Sequence, residues 1–250
     1  MIIRMLSAAL VAGFLAAVVA TGLQLALTSP LILAAERYET QASAQVPVLA
    51  ALAPSLMVRV HAHGEAHAPT GGNDAVWEPA PGFQRMAFTA LATLVGGVGY
   101  ALLLGAVLVA CGREPTMESS VGFAVAGFLA VSLAPALGLP PELPGMPAAP
   151  LETRQAWWIM TAAATAMGLY LIAIRRVPIT ILGGLVLVVA PHLAGAPETD
   201  HAASALPAGY AAQFAARSLG VSFVFWIVIG LAFAWAWQTF GRTRPVAARA

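Results

Sequence analysis

A histidine-rich segment has the clearest capacity for chemistry in this sequence. Three imidazoles and one carboxylate fall within seven residues, at His61, His63, Glu65 and His67. Neutral imidazole suits first-row ions such as cobalt, nickel, copper and zinc, and a histidine-rich tract is a compositional sign of metal binding. His63 and His67 would share one face of a helix, whereas Gly64 permits an adaptable loop. The segment therefore predicts metal contact, and the alternative is a solvated polar loop.

A second group of candidate metal ligands lies much further along the chain. It comprises His192, Glu198, Asp200 and His201. His192 is the only imidazole inside a long apolar run, and an ionisable group in such a position suggests a functional site. Alternatively, His192 reaches toward the interface or pairs with a backbone group. Glu142 and Met146, in a proline-rich loop, are weaker candidates for oxygen and thioether ligands.

Long uncharged runs must position these residues. The chain is 60% apolar and 9% charged, whereas soluble proteins carry roughly 25% charged residues, so lipid must cover much of its surface. Six stretches of 20 to 31 uncharged residues are long enough to cross a membrane as helices. We therefore expect an all-α polytopic membrane protein with a single domain over residues 1–250 and about six spans arranged as three outward-opening hairpins. The predicted spans cover about 6–33, 86–112, 119–139, 157–174, 177–196 and 218–240.

Two parts of this span assignment have alternatives. The fourth and fifth runs are separated only by Arg175, Arg176 and Pro178, which predicts a tight helical hairpin. In a five-span alternative, one of these two runs is re-entrant or interfacial. The first run follows Arg4 as a signal peptide would, but its apolar region is much longer than such peptides need. We expect it to be retained as a span.

The placement of arginine predicts the orientation in the membrane. If the N-terminus is inside, seven arginines lie in cytoplasmic segments and two in short outer loops, which favours cytoplasmic termini. The seven are Arg4, Arg113, Arg175, Arg176, Arg242, Arg244 and Arg249. The long loop 36–85 and both histidine groups then face outward. That face has a net negative charge, which raises the local concentration of cations.

The outer ends of the hairpins resemble one another in sequence. Pro135 and Pro191 are each followed by a proline six residues later and a glutamate seven residues later, and the first hairpin has a looser version at Pro30 and Glu36. The helices that follow begin near Arg85, Arg154 and Arg217. An internal repeat explains this pattern, and the alternative is that proline and arginine simply recur at helix ends. Each proline should interrupt the helical hydrogen bonds, and freed carbonyls are tolerated where they line a cavity.

Several functional classes are disfavoured by the sequence. There is no phosphate-binding G-x-x-x-x-G-K-[ST] motif, so no ATP binding of that kind is expected in this chain. The motifs of zinc proteases and serine esterases are also missing, and no enzymatic activity or prosthetic group is expected. The net charge of +1 gives no sign of nucleic-acid binding, and the single Cys111 excludes an intrachain disulfide.

Five short segments together carry a resemblance to a known family. They are 28–36, 144–147, 154–158, 190–193 and 212–215. With these the chain resembles the CbtA family of predicted cobalt transporter subunits. The resemblance implies cobalt uptake across the bacterial inner membrane, linked to cobalamin synthesis, and a small single-span, histidine-bearing partner, the CbtB subunit. It implies no particular binding residues. The family is often described with five spans, whereas six are counted here.

Three functions are therefore compatible with the sequence. The first is a permease for a divalent transition-metal ion, with cobalt as the foremost candidate. The second is a membrane subunit that binds metal without transporting it and delivers the ion to a partner permease. The third is a membrane enzyme or assembly factor without a role in metal binding.

Overall fold

The chain forms a bundle of helices. A computed structural model describes residues 1–38, 40, 79–80, 82–198 and 206–242. Within these ranges there are six helices and no strand, which confirms the all-α polytopic class. They are α1 (Ile2–Tyr38), α2 (Phe83–Ala110), α3 (Met117–Gly138), α4 (Leu151–Arg175), α5 (Pro178–Ala194) and α6 (Ala208–Arg242).

The helices differ in length. Within the described part of the chain, all but α5 are long and apolar enough to cross a membrane. Helix α5 has 17 residues, which gives about 25 Å of helix against a hydrocarbon core of about 30 Å. Helices α1 and α6 extend beyond their predicted bounds at 33 and 218. The Tyr38 and Tyr210 rings lie 5.8 Å apart in an edge-to-face contact, so the extensions support each other.

Helix α1 packs against α2 and α6. Its contact face consists of small residues, including Ala8, Ala12 and Ala16, which are fully buried. Gly13 and Gly97 let the α1 and α2 backbones touch, because a methyl group at Gly97 would lie 2.6 Å from the Gly13 carbonyl oxygen. Close approach through small residues is typical of helix packing in membranes.

The remaining helices extend the bundle on one side. Helix α3 packs against α6, and α4 packs against α3 and α5. Helix α5 contacts mainly α4, and Gly168 and Gly184 form the close approach between them. The connection from α4 to α5 is a tight turn in which Arg176 has a left-handed φ of 53°. Helix α5 therefore lies at the edge of the bundle.

The bundle has two ends, which we name after the charged residues that tie neighbouring helices there. At the Arg4 end, the Arg4 guanidinium donates to the Trp237 carbonyl oxygen at 2.7 Å and lies 4.0 Å from the centre of the Trp237 indole. At the Glu36 end, Arg85 pairs with Glu36 at 2.5 Å. The start of α1 and the end of α6 thus lie at the same end.

The outward-facing surface of the helices is strongly apolar. Ile3, Val95 and Ile179 are 80%, 65% and 71% exposed. A water-soluble monomer rarely presents so continuous an apolar surface. This surface suits contact with lipid chains, as the low charge content requires.

Candidate functional site

Most of the predicted metal ligands lie outside the described residues. These are His61, His63, Glu65, His67, Asp200 and His201. His192 and Glu198 are described. His192 is half-buried in the last turn of α5, where its ring makes an edge contact with Trp157 at 6.1 Å between centroids. Glu198 is exposed beyond the end of α5. Among the described residues, no three histidine, cysteine or acidic side chains come together.

The two weaker candidates, Glu142 and Met146, have other partners. The Glu142 carboxylate accepts a hydrogen bond from the Arg154 guanidinium at 2.8 Å. The Met146 sulfur accepts one from the backbone N–H of Leu143 at 3.3 Å. The first contact ties the loop between α3 and α4 to the start of α4, and the second lies within the loop.

Two ion pairs occupy equivalent places in the first and second hairpins. Glu36 follows the proline of α1 and pairs with Arg85 at the start of α2. Glu142 follows the proline of α3 and pairs with Arg154 in the first turn of α4. These are the glutamates and arginines of the sequence pattern described above. In both hairpins the ion pair therefore ties one helix end to the start of the next.

The corresponding arginine of the third hairpin has a different partner. Arg217 donates a 3.0 Å hydrogen bond from Nη1 to the carbonyl oxygen of Leu27, and a 3.2 Å bond from Nη2 to the side chain of Gln213. Leu27 lies within a π-helical segment of α1, Gln24–Thr28. The Arg217 side chain thus satisfies a main-chain oxygen in a region where the regular α-helical pattern is interrupted.

The prolines within α1 and α3 follow a wider, π-helical turn and do not end these helices. The π-helical segments Gln24–Thr28 and Leu129–Leu133 each end two residues before a proline, at Pro30 and Pro135. The residue between segment and proline donates its N–H to the carbonyl five positions back. Because proline lacks an N–H and clashes with the preceding turn, the wider turn accommodates it. Such π-bulges are frequent at functional sites.

A cavity of about 760 Å³ reaches the Glu36 end of the bundle, and we call it the Glu36-end cavity. It lies between α1, α2 and α6, beside the π-helical segment of α1. Its polar lining residues are Gln24, Thr28, Ser29, Arg85, Thr89, Thr93, Ser218 and Ser222. Arg85 is the charged residue of this lining, and its partner Glu36 lies beside it at the mouth.

A ladder of hydroxyl groups leads into this cavity. Arg85, Thr89 and Thr93 are spaced four apart on α2, so they share one face. The Thr89 hydroxyl donates to the Arg85 carbonyl oxygen at 2.9 Å, and the Thr93 hydroxyl lies 2.8 Å from the Thr89 carbonyl oxygen and 3.3 Å from the Gln24 amide oxygen. On α1, Thr28 donates to the Gln24 carbonyl oxygen at 3.0 Å. The ladder joins the ion pair at the mouth to the π-helical segment.

A second cavity, also of about 760 Å³, reaches the opposite end, and we call it the Arg4-end cavity. It lies between α2, α3 and α4. Its charged lining residues are Arg113, Glu114, Glu118 and Arg176. Its lining also includes Ala130 and Val131 in the π-helical segment of α3, and Trp226 of α6.

An aromatic layer lies beside both cavities. Trp226 lines the Arg4-end cavity, and the preceding residue Phe225 lines the Glu36-end cavity. The Tyr100 ring packs on both, with centroids at 5.1 Å from Trp226 and 6.0 Å from Phe225. Gly127 leaves room for the Trp226 indole, because a methyl group at this position would overlap the ring. One turn of α6 therefore contributes to the lining of both cavities, and we call this aromatic layer the partition.

The residues that line the cavities were missed by the sequence analysis. Their signal is a polar stripe at spacing four, Arg85, Thr89 and Thr93, on a run that is otherwise apolar, together with Gln24 and Thr28 at the same spacing. Histidine and carboxylate side chains indicate candidate metal ligands directly. Neutral hydroxyls are common in helices, so they do not indicate a site by themselves. Only the packing of α1 on α2 brings the two stripes together.

The fold is that of a polytopic membrane protein, and cavities that reach opposite ends of the bundle are typical of one that moves a solute. The chain matches the model of the CbtA family, described as probable cobalt transporter subunit, over residues 2–238. It therefore belongs to that family, as its short sequence segments indicated. No curated protein and no solved structure matches it. A transporter subunit is not an enzyme, and the word subunit implies a partner.

Proposed function

We propose that this chain is a permease subunit that takes up a divalent transition-metal ion, foremost cobalt, for cobalamin synthesis in a bacterium. The observation that carries the proposal is the pair of cavities that reach opposite ends of the bundle, with the adjacent α6 residues Phe225 and Trp226 each lining one of them. A protein that only presents metal at its surface needs no such arrangement. The metal ion is the substrate, not a resident cofactor.

The distribution of arginine supports an orientation with the Glu36 end outward. In this orientation both termini lie in the cytoplasm and the protein resides in the bacterial inner membrane. A single cysteine introduced as His61→Cys, in a Cys111→Ser background, tests the orientation. A membrane-impermeant thiol reagent should label it from outside intact cells. Labelling only after the cells are opened would contradict the proposed entry side.

The predicted ligands would gather metal at the outer face. His61, His63, Glu65 and His67 supply imidazole and carboxylate, which suit cobalt and its neighbours. His192, Glu198, Asp200 and His201 would form a second collecting group beside α5. Ions concentrated there would enter the Glu36-end cavity, pass the aromatic layer when α6 moves, and leave through the Arg4-end cavity.

One observation favours the accessory role instead. His192 contacts Trp157 at the α4–α5 edge and lines neither of the two cavities described. A histidine in that position is better placed to hand an ion to a neighbouring protein than to pass it through this bundle. A small single-span, histidine-bearing subunit of the CbtB type is the partner that we propose for either role.

Cobalt uptake by cells that lack their own cobalt transporters distinguishes the two roles. The chain is expressed alone, with the proposed partner, and as a variant with all five histidines replaced by alanine. If the chain is a permease, cobalt uptake requires the chain. At low cobalt concentration, the histidine-free variant should then take up cobalt more slowly than the native chain. If cells that express the chain, alone or with the partner, take up cobalt no faster than cells without it, the permease proposal is wrong. Unchanged uptake in the histidine-free variant would refute the collecting role of the histidines.

A further inference from the structure

We infer that the Arg4-end cavity is a binding site for a membrane phospholipid with a zwitterionic headgroup of the ethanolamine type. One acyl chain of the lipid lies along α3, and the phosphate and ammonium groups meet the four charged residues at the mouth. The inference goes beyond the proposed function, because it holds whether or not the chain moves an ion by itself.

The cavity is a groove along α3 with apolar walls. Helix α3 packs against both α2 and α4, whereas α2 and α4 form no comparable contact with each other in the described part of the chain. Leu103 and Val107 of α2 line the groove and are 48% and 39% exposed. Gly122 of α3 also lines it, and a methyl group added there would meet nothing within 4 Å. The space over α3 is therefore open to whatever surrounds the bundle in the membrane.

The length of the groove favours a lipid over a helix as its occupant. Its lining residues on α3 run from Glu118 to Val131, which corresponds to about 20 Å of helix. A partner helix that crosses the membrane would need a groove along the whole hydrocarbon core of about 30 Å. One leaflet contributes about half of that core. The groove thus matches one acyl chain and the headgroup region next to it.

The mouth of the groove carries unpaired charges of both signs. Arg113 and Glu114 lie in the connection from α2 to α3, Glu118 lies in the first turn of α3, and Arg176 lies in the turn between α4 and α5. None of these four side chains forms an ion pair with another described residue. At the opposite end of the bundle, by contrast, two glutamates pair with arginines. The charges at this mouth are therefore available to a ligand.

The mouth fits both charges of an ethanolamine headgroup. Arginines bind phosphate oxygens through two parallel N–H groups, and basic pockets between membrane helices bind lipid headgroups. The Nε of Arg176 donates to the Ala173 carbonyl oxygen at 2.7 Å, which orients the guanidinium and leaves its two Nη groups for a phosphate. Glu114 and Glu118 can accept hydrogen bonds from a primary ammonium. A headgroup with a net negative charge would leave these carboxylates without a cation, so the zwitterion is preferred.

Native mass spectrometry of the full chain, with lipids of identical acyl chains, measures the headgroup preference. Phosphatidylethanolamine should bind about fivefold more tightly than anionic phosphatidylglycerol, and than phosphatidylcholine, whose quaternary ammonium has no N–H to donate. Arg176→Gln should weaken phosphatidylethanolamine binding roughly tenfold, the size of one lost charge-assisted hydrogen bond. Arg175→Gln is the matched control and should leave binding unchanged, because Arg175 is adjacent but lines neither cavity. Replacing both Glu114 and Glu118 by glutamine should remove the preference over phosphatidylcholine.

A leucine at Gly122 tests the place of the acyl chain. The added side chain of Gly122→Leu begins in open space and fills part of the groove, so binding of all three lipids should fall several-fold while the protein stays folded. Gly99→Leu is the control, because Gly99 is equally open but lines neither cavity. Equal effects of the two substitutions would show that the acyl chain lies elsewhere.

A benzophenone maleimide attached to Cys111 identifies the occupant in cell membranes. Cys111 is the single cysteine and lines the same cavity. Irradiation should give adducts with phosphatidylethanolamine. Adducts with a second copy of the chain or with another membrane protein, in place of lipid, would overturn the inference. Equal binding of the three lipids, or equal losses from Arg175→Gln and Arg176→Gln, would overturn it as well.

Cobalt flux into vesicles decides the permease proposal separately, because the lipid measurements contain no metal. Flux by the native chain without a headgroup preference refutes the lipid site alone. A headgroup preference without flux supports the lipid site and refutes the permease proposal. The proposed route of the ion includes the same cavity, so the acyl chain must move aside before an ion leaves through it.

Discussion

The hydroxyl of Ser222 donates a 2.8 Å hydrogen bond to the hydroxyl of Ser132. The bond joins α6 to the π-helical segment of α3, and Ser222 lines the Glu36-end cavity. The Trp226 indole N–H donates to the same Ser132 oxygen at 3.4 Å. One hydroxyl of α3 thus contacts two residues of α6, one from the lining of each cavity.

The partition predicts a leak when its largest side chain is reduced. In Trp226→Leu, cobalt should leak through the protein into vesicles at a rate that does not saturate with cobalt concentration, because the indole that fills the space beside Gly127 is gone. Trp226 is only 3% exposed, so this substitution should also lower the free energy of unfolding by about 2 kcal/mol or more. Passive flux into vesicles that contain a metal-sensitive dye measures the leak. Trp235→Leu, at a residue that is 54% exposed, should behave like the native chain, and an equal leak from both variants would refute the partition.

The hydroxyl ladder predicts a specific loss in Thr93→Val. The Thr93 hydroxyl joins α2 to the Gln24 amide, so valine should lower the rate of metal uptake several-fold while costing only about 1 kcal/mol of stability. Thr239→Val is the control, because Thr239 makes the same type of hydrogen bond to the carbonyl oxygen four residues earlier but lies outside both cavity linings. Uptake kinetics and thermal unfolding of the two variants are compared. Similar uptake by both would contradict a role for the ladder.

The helical class could be predicted because it follows from charge and length alone. Runs without charge cannot face water, and lipid forces their backbone into helices. The exact bounds depend on more than these runs. Tyr38 and Tyr210 stabilise turns beyond the apolar segments, and only their packing against each other in the fold reveals this.

The lining of the two cavities was harder to predict than the helices, because hydroxyl and amide side chains such as those in this lining are common in helices. Pro30 and Pro135 indicated interrupted hydrogen bonds, and π-helical segments lie directly before both. Which carbonyls or hydroxyls would then line a cavity depends on the neighbouring helix. The pairing of Glu36 with Arg85 follows the repeated sequence pattern, whereas the third arginine departs from it, since Arg217 bonds to the main chain of α1 at Leu27.

The contact between α1 and α2 predicts opposite effects at neighbouring glycines. Gly97→Ala should cost about 1–3 kcal/mol, because the added methyl would lie against the Gly13 carbonyl in a packed interface. Gly96→Ala points into open space and should be neutral or stabilising by up to about 1 kcal/mol. Thermal unfolding in one detergent measures both. Equal destabilisation would show that the contact is not as described.

The bond from Arg217 to α1 predicts that the π-helical segment depends on this side chain. Arg217→Gln should cost about 0.5–1.5 kcal/mol and reduce uptake, since the Leu27 carbonyl loses a charged donor. Arg217→Lys keeps a charge and a donor and should retain most of the uptake. If the lysine variant is as impaired as the glutamine variant, the charge of this residue is not what supports the segment.

Cobalt flux into vesicles that contain only the purified chain shows whether this protein itself transports the ion. The vesicles enclose a metal-sensitive dye, and cobalt is added outside. We expect saturable entry that exceeds entry into protein-free vesicles and is reduced by Thr93→Val. Entry no faster than in protein-free vesicles, both for the chain alone and with its partner added, would show that the two cavities do not form a transport route.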